Sequence, residues 1–233
     1  MKFLQLFHSG FVSLFAIING VMIYLFLMKL PYGLDPLLIS LQHWDQLSPQ
    51  IGIMLTIAVI LVVVAILLPW RLSTDLKNRL LYMQGEFSHP ASNAFLNNRR
   101  QPFESSALLQ AHPSVKDSGF SRKVQREYWQ KLHDKHANNT VVLNTRIHWQ
   151  LLRDLFVISL LFLTAFVVSY LAQMNTPFQL VAIYLFVFGA QVLFLFLTAR
   201  RIGWKLVDNV LAVDLGMKEG DTPDSRSNSK KKR

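Results

Sequence analysis

The chain has 233 residues, 52% of them hydrophobic, and a net charge of +10. That length would suit one or two soluble domains, but the apolar residues are gathered into four runs of about 20, which excludes an ordinary soluble core. The absence of cysteine excludes disulfides and thiolate metal or redox chemistry.

The first run, FVSLFAIINGVMIYLFLMKL (11–30), is apolar apart from Asn19 near its middle and Lys29 at its end, where a long side chain reaches the headgroups. At about 1.5 Å per residue, 20 residues cross the roughly 30 Å hydrocarbon core of a bilayer. Met-Lys precedes a signal-like stretch here. The length of the run and the lack of a small-x-small site before KLPYG point to an uncleaved anchor. The second run, IGIMLTIAVILVVVAILLPW (51–70), reads as the returning span of a hairpin, 1–70.

Beyond it, RLSTDLKNRLLYMQ keeps Leu72, Leu76, Leu80 and Met83 at helical spacing, so the second span is expected to continue as one helix. GEFSHPASNAFLNNRRQPF is loop-like, with Gly85, Pro90 and Pro102. SSALLQAHP predicts a short helix capped by Ser105 or Ser106 and stopped at Pro113. SRKVQREYWQKLHDKHANN then predicts an amphipathic helix from Ser121 to the Asn138–Asn139 pair. Val124, Tyr128 and Leu132 form its stripe and Trp129 widens it, among five basic residues. Tyr128, Trp129 and Leu132 are the candidate partner-docking residues of a helical insertion, 71–154. The default reading of that stripe is packing on the extension of the second or third span, and contact with anionic lipid is a further one.

TVVLNTRIHWQLLRDLF runs without a breaker into the third span, LFVISLLFLTAFVVSYLAQ (155–173). The fourth, FQLVAIYLFVFGAQVLFLFLTA (178–199), follows a four-residue turn and holds Gln191 near its middle. Arg153 with Asp154, and Arg200, Arg201 and Trp204, sit at span ends and read as membrane-interface anchors. Residues 200–233 are expected to form a disordered basic tail, with Lys230 to Arg233 within reach of anionic headgroups.

Lys and Arg number thirteen in 71–154 and nine in 200–233, against none in 31–50 or 173–177. The positive-inside rule therefore places both termini and the insertion in the cytoplasm. The net charge describes a basic cytoplasmic face. The insertion also carries seven acidic residues, so nucleic acid is disfavoured as a partner.

Chemistry-bearing patterns are few. His133 and His136 lie three apart with Asp134 between them, and His89, His112 and His148 lie elsewhere in the insertion, but no HExxH is present and no metal site is expected. No GxSxG, P-loop or dinucleotide fingerprint occurs, so no catalytic residue and no cofactor is assigned. The spans hold neutral polar groups only, Asn19 and Gln191 foremost, with Thr56, Ser159, Thr164, Ser169, Tyr170 and Tyr184. Asn19 and Gln191 suit an interhelical hydrogen bond or a polar pore lining. Ala165 and Ser169, four apart, would allow close helix approach.

The run from AHPSVKDSGF to LLRDLF resembles the stretch before a membrane span in uncharacterised bacterial inner-membrane proteins, which share a W/Y…V…H…LLRDL spacing; this implies a bacterial inner-membrane setting and no activity. The overall plan resembles small membrane effectors of bacterial defence systems. The sequence thus predicts an all-α polytopic membrane protein with four transmembrane helices in two hairpins (1–70 and 155–199) around a helical cytoplasmic insertion. The function expected is that of a non-enzymatic interaction or signalling component that docks a partner through the insertion, with an oligomeric channel or membrane-perturbing effector as the alternative; a protein partner or a homo-oligomer is expected.

Overall fold

The computed structural model describes residues 2–42, 49–83, 89–95, 105–173 and 176–216. It is an all-α polytopic membrane protein, with four helices long and apolar enough to cross a bilayer. They are α1 (Lys2–Leu27), α3 (Pro49–Arg71), α8 (Thr140–Ala172) and α9 (Phe178–Asp214). Between them lie α2 (Leu34–Gln42), α4 (Thr74–Tyr82), α5 (Ser105–Ala111), α6 (Pro113–Asp117) and α7 (Arg122–Lys135), with a 3₁₀ turn at Pro90–Asn93.

The chain divides into two compact units. Unit 1, Met1–Lys77 with Leu151–Leu197, holds the apolar portions of all four spans, so the two hairpins belong to one body. Its core is aromatic. Phe26 meets Phe166 edge-on at 4.7 Å and Tyr184 at 5.3 Å, and Phe188 packs on Phe166 at 5.6 Å. Tyr184 lies fully buried and donates its hydroxyl to the Leu30 carbonyl at 3.1 Å, which satisfies its one polar atom. α1 is the most enclosed span, with 56% of its apolar window buried, and α3 the least, with 17%. α1 and α3 come close at Gly20, where an added methyl would overlap the Val62 side chain. The small residue that permits this approach is a glycine of α1, on a different span from Ala165 and Ser169.

α3 does not run on. It ends at Arg71, and α4 opens separately at Thr74, with the Ser73 hydroxyl accepting from the Leu76 amide at 3.3 Å. Pro69, which lacks an N–H, weakens the last turn of α3, and Ser73 caps a new helix. The faces are also the reverse of the expected stripe. Lys77, Asn78, Leu81 and Tyr82 are buried, whereas Leu76, Leu80 and Met83 are exposed.

Unit 2, Asn78–Gln150 with Thr198–Arg233, takes in the last part of α9. That helix extends to Asp214, so 200–214 is ordered and buries Leu206, Val207, Val210 and Leu211. These apolar residues recur at helical spacing and bury one face, which explains why 200–214 is helical where a disordered tail was expected. Residues 217–233, including Lys230 to Arg233, lie outside the described residues.

Candidate functional sites

In unit 1, Asn19 is fully buried and accepts from the Gln191 side-chain amide at 2.9 Å, while its own Nδ2 donates to the Phe15 carbonyl at 2.9 Å. The structure thus brings the two strongest polar groups of the spans together and turns them on each other. Ser159 and Thr164 donate to carbonyls of their own helix, as short hydroxyl side chains do where no water competes.

Where α8 leaves its apolar stretch, unit 1 holds a buried charge cluster. Asp154 Oδ1 accepts from Lys77 Nζ at 2.8 Å, His8 Nε2 lies 3.3 Å from Oδ2, and Arg153 Nε is 4.0 Å from Oδ1. Lys77, Arg153 and Asp154 are each more than nine-tenths buried. An interface anchor spreads its charged head among headgroups; Arg153 is instead enclosed beside Asp154. The cluster joins α1, α4 and α8, which are distant in sequence, and such a pairing leaves no local signature.

In unit 2 a second carboxylate gathers basic groups. Asp214 Oδ1 accepts from His136 Nε2 at 2.8 Å and Lys135 Nζ at 2.9 Å, and Oδ2 lies 3.3 Å from His112 Nε2. His112 Nδ1 is 3.3 Å from the Tyr128 hydroxyl. Burial pushes the His112 imidazole below its ordinary value against the pull of Asp214, and Lys135 adds to the lowering. Burial would raise Asp214, but the hydrogen bonds from His136 and Lys135, with the charges of Lys135 and His112, hold its carboxyl below the usual range. Asp214 was missed in the sequence because it stood in an expected tail.

Tyr128, Trp129 and Leu132 do not form an exposed face. Trp129 and Leu132 are buried, and Tyr128 is half-buried against Phe95 and His112. Trp129 stacks on His133 at 5.2 Å and meets His89 at 5.2 Å, and His89 also contacts Trp149 at 5.7 Å. The Gln125 side chain ties the same core together, accepting from the Phe95 amide at 3.0 Å and donating to the Phe120 carbonyl at 2.7 Å. On α9, Arg200 lies over the Tyr82 ring at 5.8 Å, Arg201 is exposed and Trp204 half-buried. Of the histidines, His112 and His136 converge on one acid and His148 is exposed; among the described residues no group of three or more metal-capable side chains is arranged to hold an ion.

Comparison with protein-family models, curated proteins and solved structures finds no match to this chain.

Proposed function

We propose that this protein is a non-enzymatic interaction component of a bacterial inner membrane, docking a protein partner on its cytoplasmic side through unit 2. Membrane integration follows from the four spans. The one-sided distribution of Lys and Arg supports cytoplasmic termini and a cytoplasmic unit 2. The observation that carries the reading is the continuity of α8 and α9, 33 and 37 residues long. At about 1.5 Å per residue both far exceed the hydrocarbon thickness, so each has a part outside its apolar stretch, and that part belongs to unit 2. Unit 2 therefore offers a partner a folded surface outside the apolar stretches.

The burial of Trp129 and Leu132 moves the docking surface to the outer side of α7. Arg122, Lys123 and Lys131 are exposed there, a face suited to an acidic protein surface and secondarily to anionic headgroups. Glu127 and Asp134 interrupt this charge, which weighs against nucleic acid. The non-enzymatic reading rests on the lack of any catalytic signature in the sequence. An oligomeric channel would need Asn19 and Gln191 to face a lumen, and in the single chain they face each other.

A photoreactive residue placed at exposed Gln130 in the full-length protein tests the reading. A discrete protein adduct that disappears with Lys123→Glu and Lys131→Glu, in cells of normal membrane potential, is the expected result. Depolarisation on expression, cancelled by Gln191→Leu, would replace docking with the channel reading.

A further inference from the structure

Unit 1 contains an apolar groove of about 420 Å³ between α1 and α3, closed at one end by α2. Ile17, Gly20 and Tyr24 form one wall, Val59 and Val63 the other, and Leu37 of α2 the end. Its origin is the close approach at Gly20: the helices touch there through Val62, and the space flanking the contact stays open.

The chemistry of the walls selects the occupant. They present almost only carbon, and an ordered water needs two to four polar partners, so the groove has nothing with which to hold water or a headgroup. Its size lies within the roughly 300–1,000 Å³ range of ligand pockets and is far above the roughly 150 Å³ apolar cavity that accommodates a benzene. A single narrow chain fits inside it, whereas one turn of a second transmembrane helix, about 10 Å across and about 5.4 Å long, already has about this volume and would lie across the mouth. Both walls belong to membrane spans, Phe7–Leu27 and Gly52–Arg71. Ile17, Val59 and Val63 are each about half exposed along the open side, so that side faces bilayer hydrocarbon. We infer that the groove holds a single acyl chain of a bilayer lipid, inserted sideways between α1 and α3 and stopped by Leu37.

The test uses the full-length protein in vesicles of phosphatidylcholine and phosphatidylglycerol containing a phosphatidylcholine with a diazirine on its acyl chain. After photolysis, adducts are mapped by peptide mass spectrometry. The reference is Leu193 and Phe194 on α9, which are exposed to lipid outside the groove. Severalfold more adduct on 17–24 and 55–63 than on the reference is expected, and Val59→Trp, which fills the groove from its open side, should bring the two to parity. Leu55→Phe provides a second filling variant if Val59→Trp fails to insert. Equal labelling of groove and reference in the unsubstituted protein would mean ordinary annular lipid and overturn the assignment. So would an unlabelled groove in a protein that light scattering shows to be a dimer, and so would labelling that persists in a correctly inserted, groove-filled variant.

Discussion

Gln191 of α9 donates to Asn19 of α1 at 2.9 Å, and Asn19 passes its own amide hydrogen to the Phe15 carbonyl of its helix. The pair is a short polar chain inside an apolar bundle, in which both polar atoms of the Asn19 side chain are bonded. The desolvation cost of Asn19 is met within the molecule, and the bond sets the rotation of α1 against α9.

Replacing Gln191 with Leu should therefore destabilise unit 1 modestly, by about 1–2 kcal/mol, since it leaves one lone-pair site of a buried Asn19 unfilled. Once Gln191 is gone, Asn19→Leu should cost less than it does in the intact protein. The coupling from a double-mutant cycle should fall at about 0.6 kcal/mol and no higher than about 1.7. Unfolding in mixed micelles measures all three variants, and full additivity would show that the bond contributes nothing.

The spans were legible because an uninterrupted apolar run of about 20 residues has one stable environment, and each such run became a helix. Unit 2 was less legible because its core is built from residues whose partners are far away in sequence. Trp129 and Leu132 read as a stripe that could pack on its neighbours, but the sequence does not name those partners: Gln125 accepts from Phe95 across 30 residues and Asp214 receives groups from α7 about 80 residues earlier. The extension of α9 was hidden by Arg200, Arg201 and Lys205, which drew attention from Leu206, Val207, Val210 and Leu211 behind them. At Ser73 the reverse held: a cap-type residue shortly after Pro69 was a visible stop signal, outweighed by a leucine spacing whose face proved to be exposed.

The Asp154 cluster predicts an asymmetric response to substitution. Asp154→Ala leaves Lys77 and Arg153 buried without the carboxylate between them, and breaking a buried pair from one side costs about 3–5 kcal/mol. Lys77→Met combined with Asp154→Leu removes both charges of the pair and should recover most of that loss. Thermal unfolding of the purified protein in detergent compares the two. A double variant as unstable as the single one would mean that the pair is not the dominant interaction of Asp154.

Acid should loosen unit 2 in two stages. His112 has a folded-state pKa below its ordinary 6.5, so the unfolded chain binds the proton first, and stability falls as pH drops from about that value toward the folded one. Asp214 has a folded-state pKa below 3.8; its contribution is complete above that value and is lost as pH falls through the lowered one. The groups facing them are Lys135 and His136 at the end of α7 and Tyr128 on the same helix. Emission of the buried Trp129 and Trp149 against pH in denaturant should report both stages, and His112→Gln should flatten the first while keeping the second. A first stage unchanged by His112→Gln would assign it to another group.

Two helical glycines of α9 make a paired prediction about packing. At Gly203 an added Cβ would overlap the Tyr82 hydroxyl and lie 2.7 Å from Trp149 Nε1. Tyr82 and Trp149 are both buried, so neither ring can swing away, and the helix itself must shift. At Gly189 nothing lies within 4 Å of the added atom. Gly203→Ala should therefore destabilise unit 2 by about 1–3 kcal/mol, the usual cost of overpacking, outweighing the gain in helix propensity. Gly189→Ala should be neutral or stabilising by up to about 1 kcal/mol, because only propensity changes. Denaturation of each variant beside the parent decides it. A harmless Gly203→Ala would mean that Tyr82 and Trp149 do not close on α9 as described, and the helical unit would then need a different account of how α9 is held.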